Sequence, residues 1–341
     1  MRIALDATYS LGGGLSGVGV YSRELLNGLA ATDFAEGWDW FYRSQRYFRA
    51  QGLPQPPKVT RRFLSDSWGN RAADVFHGLN QRLPKRRFRK QVATFHDLFV
   101  LSGDYSTPDF RERFARQAKD AAAGADLVIA VSAFTASQVE EYLRVPRSLI
   151  RVIHHGVTRR AIPDLPREKI VLCVGAIQRR KNQAMLIRSF RALPEEWTLV
   201  LAGSKGYEAE EAIREAANSP AASRIRIAGY LTDDQIGDLC ARAGIFAFPS
   251  LDEGFGMPVL EAMTAGIPVI AGNRSALPEV CGDAAELIDP SSEDDLASAL
   301  LRLANDETRR AEMAAKGRRH AGQFKWGNAV ADTLAVYREL L

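Results

Sequence analysis

Short apolar runs recur along this chain, and a helical pattern follows each of them. "RIALDA" leads through a glycine-rich loop into "VGVYSRELLNGLA". "RKQVATFHDL" leads through a polar loop into "TPDFRERFARQAKDAAAGA", and "DLVIAVS" runs directly into "AFTASQVEEYLRV". The second half repeats the plan with "KIVLCVGAI", "WTLVLAGS", "RIRIAGY", "IFAFPS" and "IPVIAG". Apolar, β-rich runs alternating with helices predict parallel sheets covered on both faces. They are too many for one ordinary doubly wound sheet, so the pattern predicts two α/β domains in series. The boundary is expected after "RVIHHGV", in the charged, proline-bearing stretch "TRRAIPDLPREK". This gives an N-terminal domain over residues 1–160, a C-terminal domain over 161–322, and a final helix over 323–341 that packs back on the first domain. "AQGLPQPPKVTRR" reads as a surface connection within the first half.

Composition narrows the class. The 341 residues leave room for two sizeable cores, with 46% hydrophobic and 25% charged residues. A formal net charge of +4 is too small to imply nucleic-acid binding. The cysteines Cys173, Cys240 and Cys281 are far apart and form no C-x-x-C, so neither a disulfide framework nor a zinc site is indicated. The start has no long apolar core of a signal peptide, and no run approaches the length of a membrane span. A reducing cytoplasm is the expected location.

Candidate chemistry concentrates in "PSLDEGFGMPVLEAMTAGIPV", Pro249 to Val269. A buried strand is expected over Ile245–Pro249, a glycine turn over 252–257, and a helix from about Met257 to Ala265. Pro258 suits the first helical turn and Gly266 its C-terminal end. The first N–H groups of that helix have no internal partners, and its dipole is positive there. The turn therefore suits a phosphate. Carboxylates beside a phosphate are repelled, so Glu253 and Glu261 should face neutral sugar hydroxyls, whose hydrogens they can accept. For Glu261, stabilisation of the helix N-terminus is the competing reading.

A second element is "VGAIQRRKNQAMLIRSF", where Arg179, Arg180 and Lys181 crowd the turn between a strand ending at Gly175 and a helix beginning near Asn182. Ligands of open parallel sheets bind beyond the carboxyl ends of strands, and three cations there suit a diphosphate. The N-terminal loop carries Gly12, Gly13, Gly14, Gly17 and Gly19. It resembles a dinucleotide fingerprint, but the acidic partner expected on the second strand has no clear candidate, since Asp39 lies in the aromatic run "WDWFY". His96 and Asp97 end one strand and His77 another; His77 reads as structural, and no histidine spacing fits a zinc site.

Taken together, "SGVGVY", "DVFHG", "TFHDL", "ADLVIAVSAFTASQV", "VGAIQRRKN", "AGY" with "LTDDQIGDLCARA", and "PSLDEGFGMPVLEAMTAGIPVIA" resemble the family 4 retaining glycosyltransferases over nearly the whole chain. That resemblance implies an α/β fold of the GT-B type, two Rossmann-like domains facing each other across a cleft. It implies that Glu261 holds the ribose of a nucleotide sugar and Glu253 the donor hexose. The backbone of Gly254, Phe255, Gly256 and Met257 would meet the sugar and distal phosphate, and Arg180 and Lys181 the diphosphate. His96 would stand at the donor sugar, Gly17 and Gly19 in the N-terminal glycine loop, and Tyr230 and Leu231 at the base. Ser16 and Val20 depart from the residues usual there. "RKN", "DVFHG" and "FHDL" are most similar to the bacterial mannosyltransferase branch, which implies GDP-mannose as donor and a glycan or lipid-linked glycan as acceptor.

The expected reaction moves a hexose to an acceptor hydroxyl with retention and needs no cofactor or metal. The chain has no Asp-x-Asp motif, and the acidic clusters Asp233–Asp234 and Glu293–Asp294–Asp295 precede helical patterns, where they stabilise N-termini. A non-catalytic nucleotide-sugar-binding protein of the same fold is the alternative, and an NAD-dependent enzyme a more distant one. Arg82, Lys85, Arg86, Arg87, Arg89 and Lys90, with Phe110 and Phe114 on one helix face beside Arg111, Arg113 and Arg116, predict peripheral contact with anionic lipid at the inner face of the membrane. No nucleic-acid partner is expected.

Overall fold

A computed structural model describes residues 1–65, 73–158 and 165–341. The expected boundary between residues 160 and 161 falls outside the described residues. Two compact units emerge: Met1–Asp104 with Pro108–Gly156 and Lys325–Leu341, and Tyr105–Thr107 with Val157–Phe324.

The first unit contains β1 (Arg2–Asp6), α1 (Gly17–Ala30), β2 (Gly37–Tyr42), α2 (Ser44–Gln51), β3 (Val59–Phe63), β4 (Val75–Gly78), β5 (Lys90–Phe95), α3 (Phe99–Ser102), α4 (Pro108–Gly124), β6 (Leu127–Ala130), α5 (Ala133–Leu143) and β7 (Ile150–Val152). Its seven strands pair in parallel in the order β3-β2-β1-β4-β5-β6-β7. The second unit contains β8 (Glu168–Val174), α6 (Gln183–Phe190), β9 (Thr198–Ala202), α7 (Ala209–Asn218), β10 (Ile225–Gly229), α8 (Asp233–Arg242), β11 (Ala243–Phe248), α9 (Met257–Thr264), β12 (Val269–Gly272), α10 (Leu277–Cys281), β13 (Glu286–Ile288), α11 (Glu293–Asn305) and α12 (Glu307–Ala321). Its six strands are likewise parallel, in the order β10-β9-β8-β11-β12-β13. Both sheets are doubly wound, as the apolar runs predict.

Two elements were not legible as such. The stretch read as a surface connection holds the end of α2 and all of β3 but its last residue, Phe63, and β3 pairs with β2 at the sheet edge. Its sequence, VTRRF, is mostly polar because an edge strand need not be buried on both faces. The aromatic run is β2, where Asp39 is buried and paired with Arg2 at 2.6 Å and Arg62 at 2.9 Å. Asp39 therefore neutralises two arginines inside the first unit.

The last helix, α13 (Trp326–Leu340), packs in the first unit against α1. Gly28 permits this approach, since a Cβ there would lie 2.5 Å from Val330 Cγ2. The α13 residue Tyr337 is fully buried and its hydroxyl meets His77 Nδ1 at 2.6 Å, while His77 Nε2 meets Thr94 Oγ1 at 2.7 Å. Thr94 continues the chain of polar contacts to the Tyr21 hydroxyl on α1 at 3.1 Å. His77 is thus a structural residue joining two strands and two helices. Each acidic cluster starts a helix: Thr232 caps α8 through a capping box above Asp233 and Asp234, and Ser292 caps α11 above Glu293 to Asp295.

The helix face carrying Phe110 and Phe114 is divided. Phe114 belongs to the core of the first unit, whereas Phe110 is exposed. Packing under α4 claims the second ring, so the pair does not form a continuous lipid-facing stripe.

Candidate functional site

In the second unit the chain reverses direction across the sheet between β8 and β11, which hydrogen-bond to each other while their connections leave toward opposite edges. A crevice must open beyond the carboxyl ends of two such strands. The loop after β8 carries Arg179–Lys181, and the loop after β11 carries Asp252–Gly256. Topology thus brings the two candidate segments together.

Bare backbone forms the adjoining floor. Gly175 follows β8 at φ +143°, and a Cβ on Gly203, after β9, would lie 1.9 Å from Gly175 O. The two loops are also tied to each other. Leu251 N–H donates to Arg180 O at 2.9 Å. Asn182, in left-handed backbone at φ +57°, donates its amide to Pro249 O at 3.2 Å and Pro290 O at 2.8 Å.

At the centre, Arg180, Lys181 and Glu253 are all buried. An Arg180 guanidinium nitrogen lies 3.1 Å from one Glu253 oxygen, and Lys181 Nζ donates to the other. Lys181 Nζ also sits 4.5 Å above the Phe248 ring. Burial would push the Glu253 carboxyl up, but the two cations outweigh it and hold the group down at about 2. Burial draws Lys181 below the ordinary lysine range, and Glu253 opposes that shift. The result is an ionised cluster of two cations and one anion, preorganised and largely dry. Arg179, expected with them, is half exposed and pairs with Glu208 at 3.2 Å. Two of the three cations therefore belong to the buried cluster.

The turn 252–257 holds Glu253 against that cluster. Gly256 takes φ +107° immediately before α9, where a Cβ would also meet Leu277 Cδ2 at 2.7 Å. Pro258 follows in the first turn of α9. Phe255 buries its ring edge-on to Phe324, with centroids 6.0 Å apart, and so anchors the turn. Glu253 N–H donates to Ser275 Oγ at 3.0 Å, and Ala276 N–H donates to Glu253 O at 3.2 Å. Ser275 itself is in left-handed backbone, φ +58°. Its role was missed in the sequence; the available signal was a polar residue just after β12, the strand beside β11, and just before "LPEV" begins α10.

Glu261 is half buried on α9 and lines a shallow recess of about 20 Å³. Val174, Gly237, Cys240, Phe246 and Pro258 supply its mostly apolar walls. The recess is too small to enclose a sugar ring, so the carboxylate stands at the edge of an apolar dimple. Tyr230 and Leu231 follow β10, with Tyr230 64% exposed and available for stacking.

The remaining predicted residues belong to the first unit. Ser16 caps α1, its Oγ accepting the Gly19 N–H at 3.4 Å. Gly17 and Gly19, expected in the glycine loop, stand instead in the first turn of α1, and the residue that departs from the family pattern occupies one of the N–H donors of that turn. Gly19 is buried, and a Cβ there would lie 3.0 Å from Tyr9 O, whereas Gly17 borders open space. His96 is 7% exposed, its Nε2 lies 2.9 Å from Leu79 O and its Nδ1 3.4 Å from His155 Nε2. The carbonyl can only accept, so Nε2 carries a proton. Burial lowers the His96 pKa to about 4. Among the described residues, no group of three His, Cys, Asp or Glu side chains is arranged to hold a metal ion, and no helix is long and apolar enough to cross a membrane.

Comparison with known proteins places these features in context. Residues 158–320 match the sequence model of the glycosyl transferases group 1, and residues 15–160 that of glycosyltransferase family 4. The O-antigen chain mannosyltransferase B of Escherichia coli is 31% identical over 284 residues, covering 78% of this chain and 74% of that protein. The serotype-specific mannosyltransferase WbdA of the same species is 30% identical over 275 residues, covering 74% of this chain and 34% of that longer protein. Among solved structures, sucrose-phosphate synthase from Thermosynechococcus elongatus aligns with a TM-score of 0.78 at 21% identity, over 100% of this chain and 99% of that one. HepE of Anabaena, solved in complex with UDP, aligns with a TM-score of 0.75 at 18% identity, over 99% of each chain.

Proposed function

We propose, from the premise that this chain belongs to the family 4 glycosyltransferases and has their GT-B fold, that it transfers mannose from GDP-mannose to a glycan hydroxyl with retention at the anomeric carbon. The observation that carries the reading is the buried cluster of Arg180, Lys181 and Glu253 at the crevice between β8 and β11. As the glycosidic bond breaks, negative charge builds on the departing diphosphate. Two preorganised cations and the positive start of α9 stabilise that charge more than they stabilise the bound donor. Glu253, held ionised, accepts hydrogens from the donor hexose, and Glu261 those of the ribose. No carboxylate is assigned as nucleophile. The leaving phosphate assists deprotonation of the acceptor at the same face, which preserves configuration.

The mannose assignment draws support from the mannosyltransferases named above, and a role in cell-surface polysaccharide or glycolipid synthesis from the first of them, whereas GDP rests on the motif resemblance alone. Because the cations of the cluster supply the positive charge that a divalent metal would otherwise bring, transfer is proposed to be metal-independent. Undiminished turnover in excess chelator is the expected result, and loss restored by added Mg²⁺ or Mn²⁺ would overturn it.

The test is a thermal-shift panel of nucleoside diphosphates and their sugars, followed by the anomeric configuration of the product by NMR. A ligand that binds only the folded state stabilises it by mass action. GDP and GDP-mannose should give the largest shifts, and Glu261→Ala should weaken GDP by about 1.5 to 3 kcal/mol, the worth of hydrogen bonds to a charged group. Preference for UDP would replace the donor; donor binding without turnover with any glycan acceptor would favour the non-catalytic alternative.

A further inference from the structure

A second cationic recess lies in the first unit. Its volume is about 640 Å³, and Arg43, Arg82, Lys85, Arg87, Arg113 and Arg116 line it. Asp120 is the one carboxylate among its lining residues. A concave wall of one sign focuses the field and concentrates ions of the other sign.

The walls are fixed by bonds that use some of these cations and leave others. Arg87 donates to Gly124 O at 2.7 Å and to Asp126 at 2.8 Å, closing the carbonyl end of α4. Buried Gln91 reaches Gly124 O at 2.9 Å, and Gln117 reaches Gln81 O at 3.3 Å, so the loop after β4 is tied to α4. Arg116 pairs with Glu112 and Arg43 with Asp6. Arg82 and Arg113 have no carboxylate partner among the described residues. Arg82 is set in place by a tight turn: a Cβ on Gly78 would lie 2.3 Å from its carbonyl oxygen. Arg113 rests 5.4 Å from the centroid of the Phe110 ring, a contact that leaves its N–H groups for a ligand.

We propose that this recess binds a phosphate or diphosphate group, separate from the donor diphosphate, with Arg82 and Arg113 as its principal contacts. Arginine forks match phosphate oxygens in pairs, and two of them lining one recess, on the loop after β4 and on α4, suit a group that presents several such oxygens. Resting on the glycosyltransferase reading above, the group would be carried by the acceptor. The expected lipid-facing patch thereby becomes a pocket with defined walls.

The experiment is a calorimetric titration of the full-length protein with inorganic pyrophosphate, after the donor site has been saturated with GDP or, should the panel select it, UDP. Pyrophosphate should still bind, more weakly as salt rises. Arg82→Glu with Arg113→Glu should cost about tenfold or more in that affinity, because charge-assisted hydrogen bonds are lost, and should leave the nucleotide thermal shift unchanged. No binding to the saturated protein, or equal binding to the variant, overturns the proposal. The nucleotide shift is read separately, so failure of the donor assignment is not confused with failure here. Flotation with phosphatidylcholine vesicles, with and without phosphatidylglycerol, identifies the source. Salt-sensitive flotation competed by pyrophosphate and lost in the variant assigns the site to a lipid headgroup, and pyrophosphate binding without flotation assigns it to a soluble phosphorylated ligand. Flotation that pyrophosphate does not compete and the variant retains rejects the recess as the site.

Discussion

One guanidinium nitrogen of Arg180 lies 3.1 Å from a Glu253 oxygen, while Lys181 donates to the other oxygen of the same carboxylate. One acid thus half-neutralises two buried cations that the proposed chemistry needs for a diphosphate. Removing the acid frees the cations; removing a cation strands the acid.

Glu253→Gln separates those effects. Nucleoside diphosphate affinity should hold or rise, since Arg180 and Lys181 lose a competing anion. Turnover should fall by about a hundred- to a thousandfold, the usual cost of a lost preorganised contact in the transition state. The protein without ligand should lose roughly 3 kcal/mol of stability, because uncompensated buried charges remain. Calorimetry with GDP and a transfer assay decide it: affinity lost in parallel with turnover would place Glu253 on the nucleotide rather than the sugar.

Ser275→Ala removes the acceptor of the Glu253 N–H, 3.0 Å away, without touching any charge. Glu253 then loses one of its two backbone tethers. The hydroxyl also donates to Arg274 O at 2.6 Å, so the expected stability cost is about 1 to 3 kcal/mol, two ordinary hydrogen bonds, with a fall in kcat and little change in GDP affinity. Ser275→Gly should not recover kcat, although it relieves the left-handed backbone, because the tether is still absent. Recovery by glycine would show that backbone strain at 275 is what matters.

Gly203→Ala and Gly28→Ala make a matched pair. At 203 the new methyl meets the Gly175 carbonyl at 1.9 Å, and backbone cannot swing aside. At 28 it meets Cγ2 of Val330 at 2.5 Å, a buried β-branched side chain held in one preferred rotamer, but alanine improves helix propensity by about 1 kcal/mol. Denaturant unfolding should show a loss near the upper end of overpacking, about 3 kcal/mol, at 203 and a smaller one, about 1 kcal/mol, at 28. Equal losses would contradict the tight junction of β8 and β9.

Acid should destabilise the first unit. Burial, with the neighbouring His96 adding to it, lowers the His77 pKa to about 3, and burial lowers that of His96 to about 4. Both lie below the unfolded value of 6.5, so the unfolded chain binds more protons between these limits. Their stabilising contribution is complete above pH 6.5 and is lost as pH falls toward 4 and then 3. Each group changes stability by about 1.4 kcal/mol per pH unit within its window. Glu253 acts lower, between its ordinary 4.5 and about 2. Stability measured from pH 7.5 to 5 should fall below 6.5, and a flat profile would contradict the buried neutral histidines.

The order of apolar runs and helical patterns was enough to predict two parallel α/β sheets. Burial on both faces forces each strand of such a sheet to be apolar, and that is a local property of sequence. The α9 turn was legible for the same reason, since Gly256, Pro258 and Gly266 state their backbone requirements residue by residue. Edge strand β3 was not, because Thr60, Arg61 and Arg62 need no apolar neighbours. The sequence also named Arg180, Lys181 and Glu253 but placed them on different ligand groups, and only the strand order joined them into one buried cluster. Arg179 looked equivalent to its neighbours until the turn sent it to Glu208, and Phe114 paired with Phe110 until packing claimed it for the core. Ser275 carried no chemistry of its own in the sequence. Its function is a contact with a backbone N–H brought in from another loop, and such a contact exists only once the chain has folded.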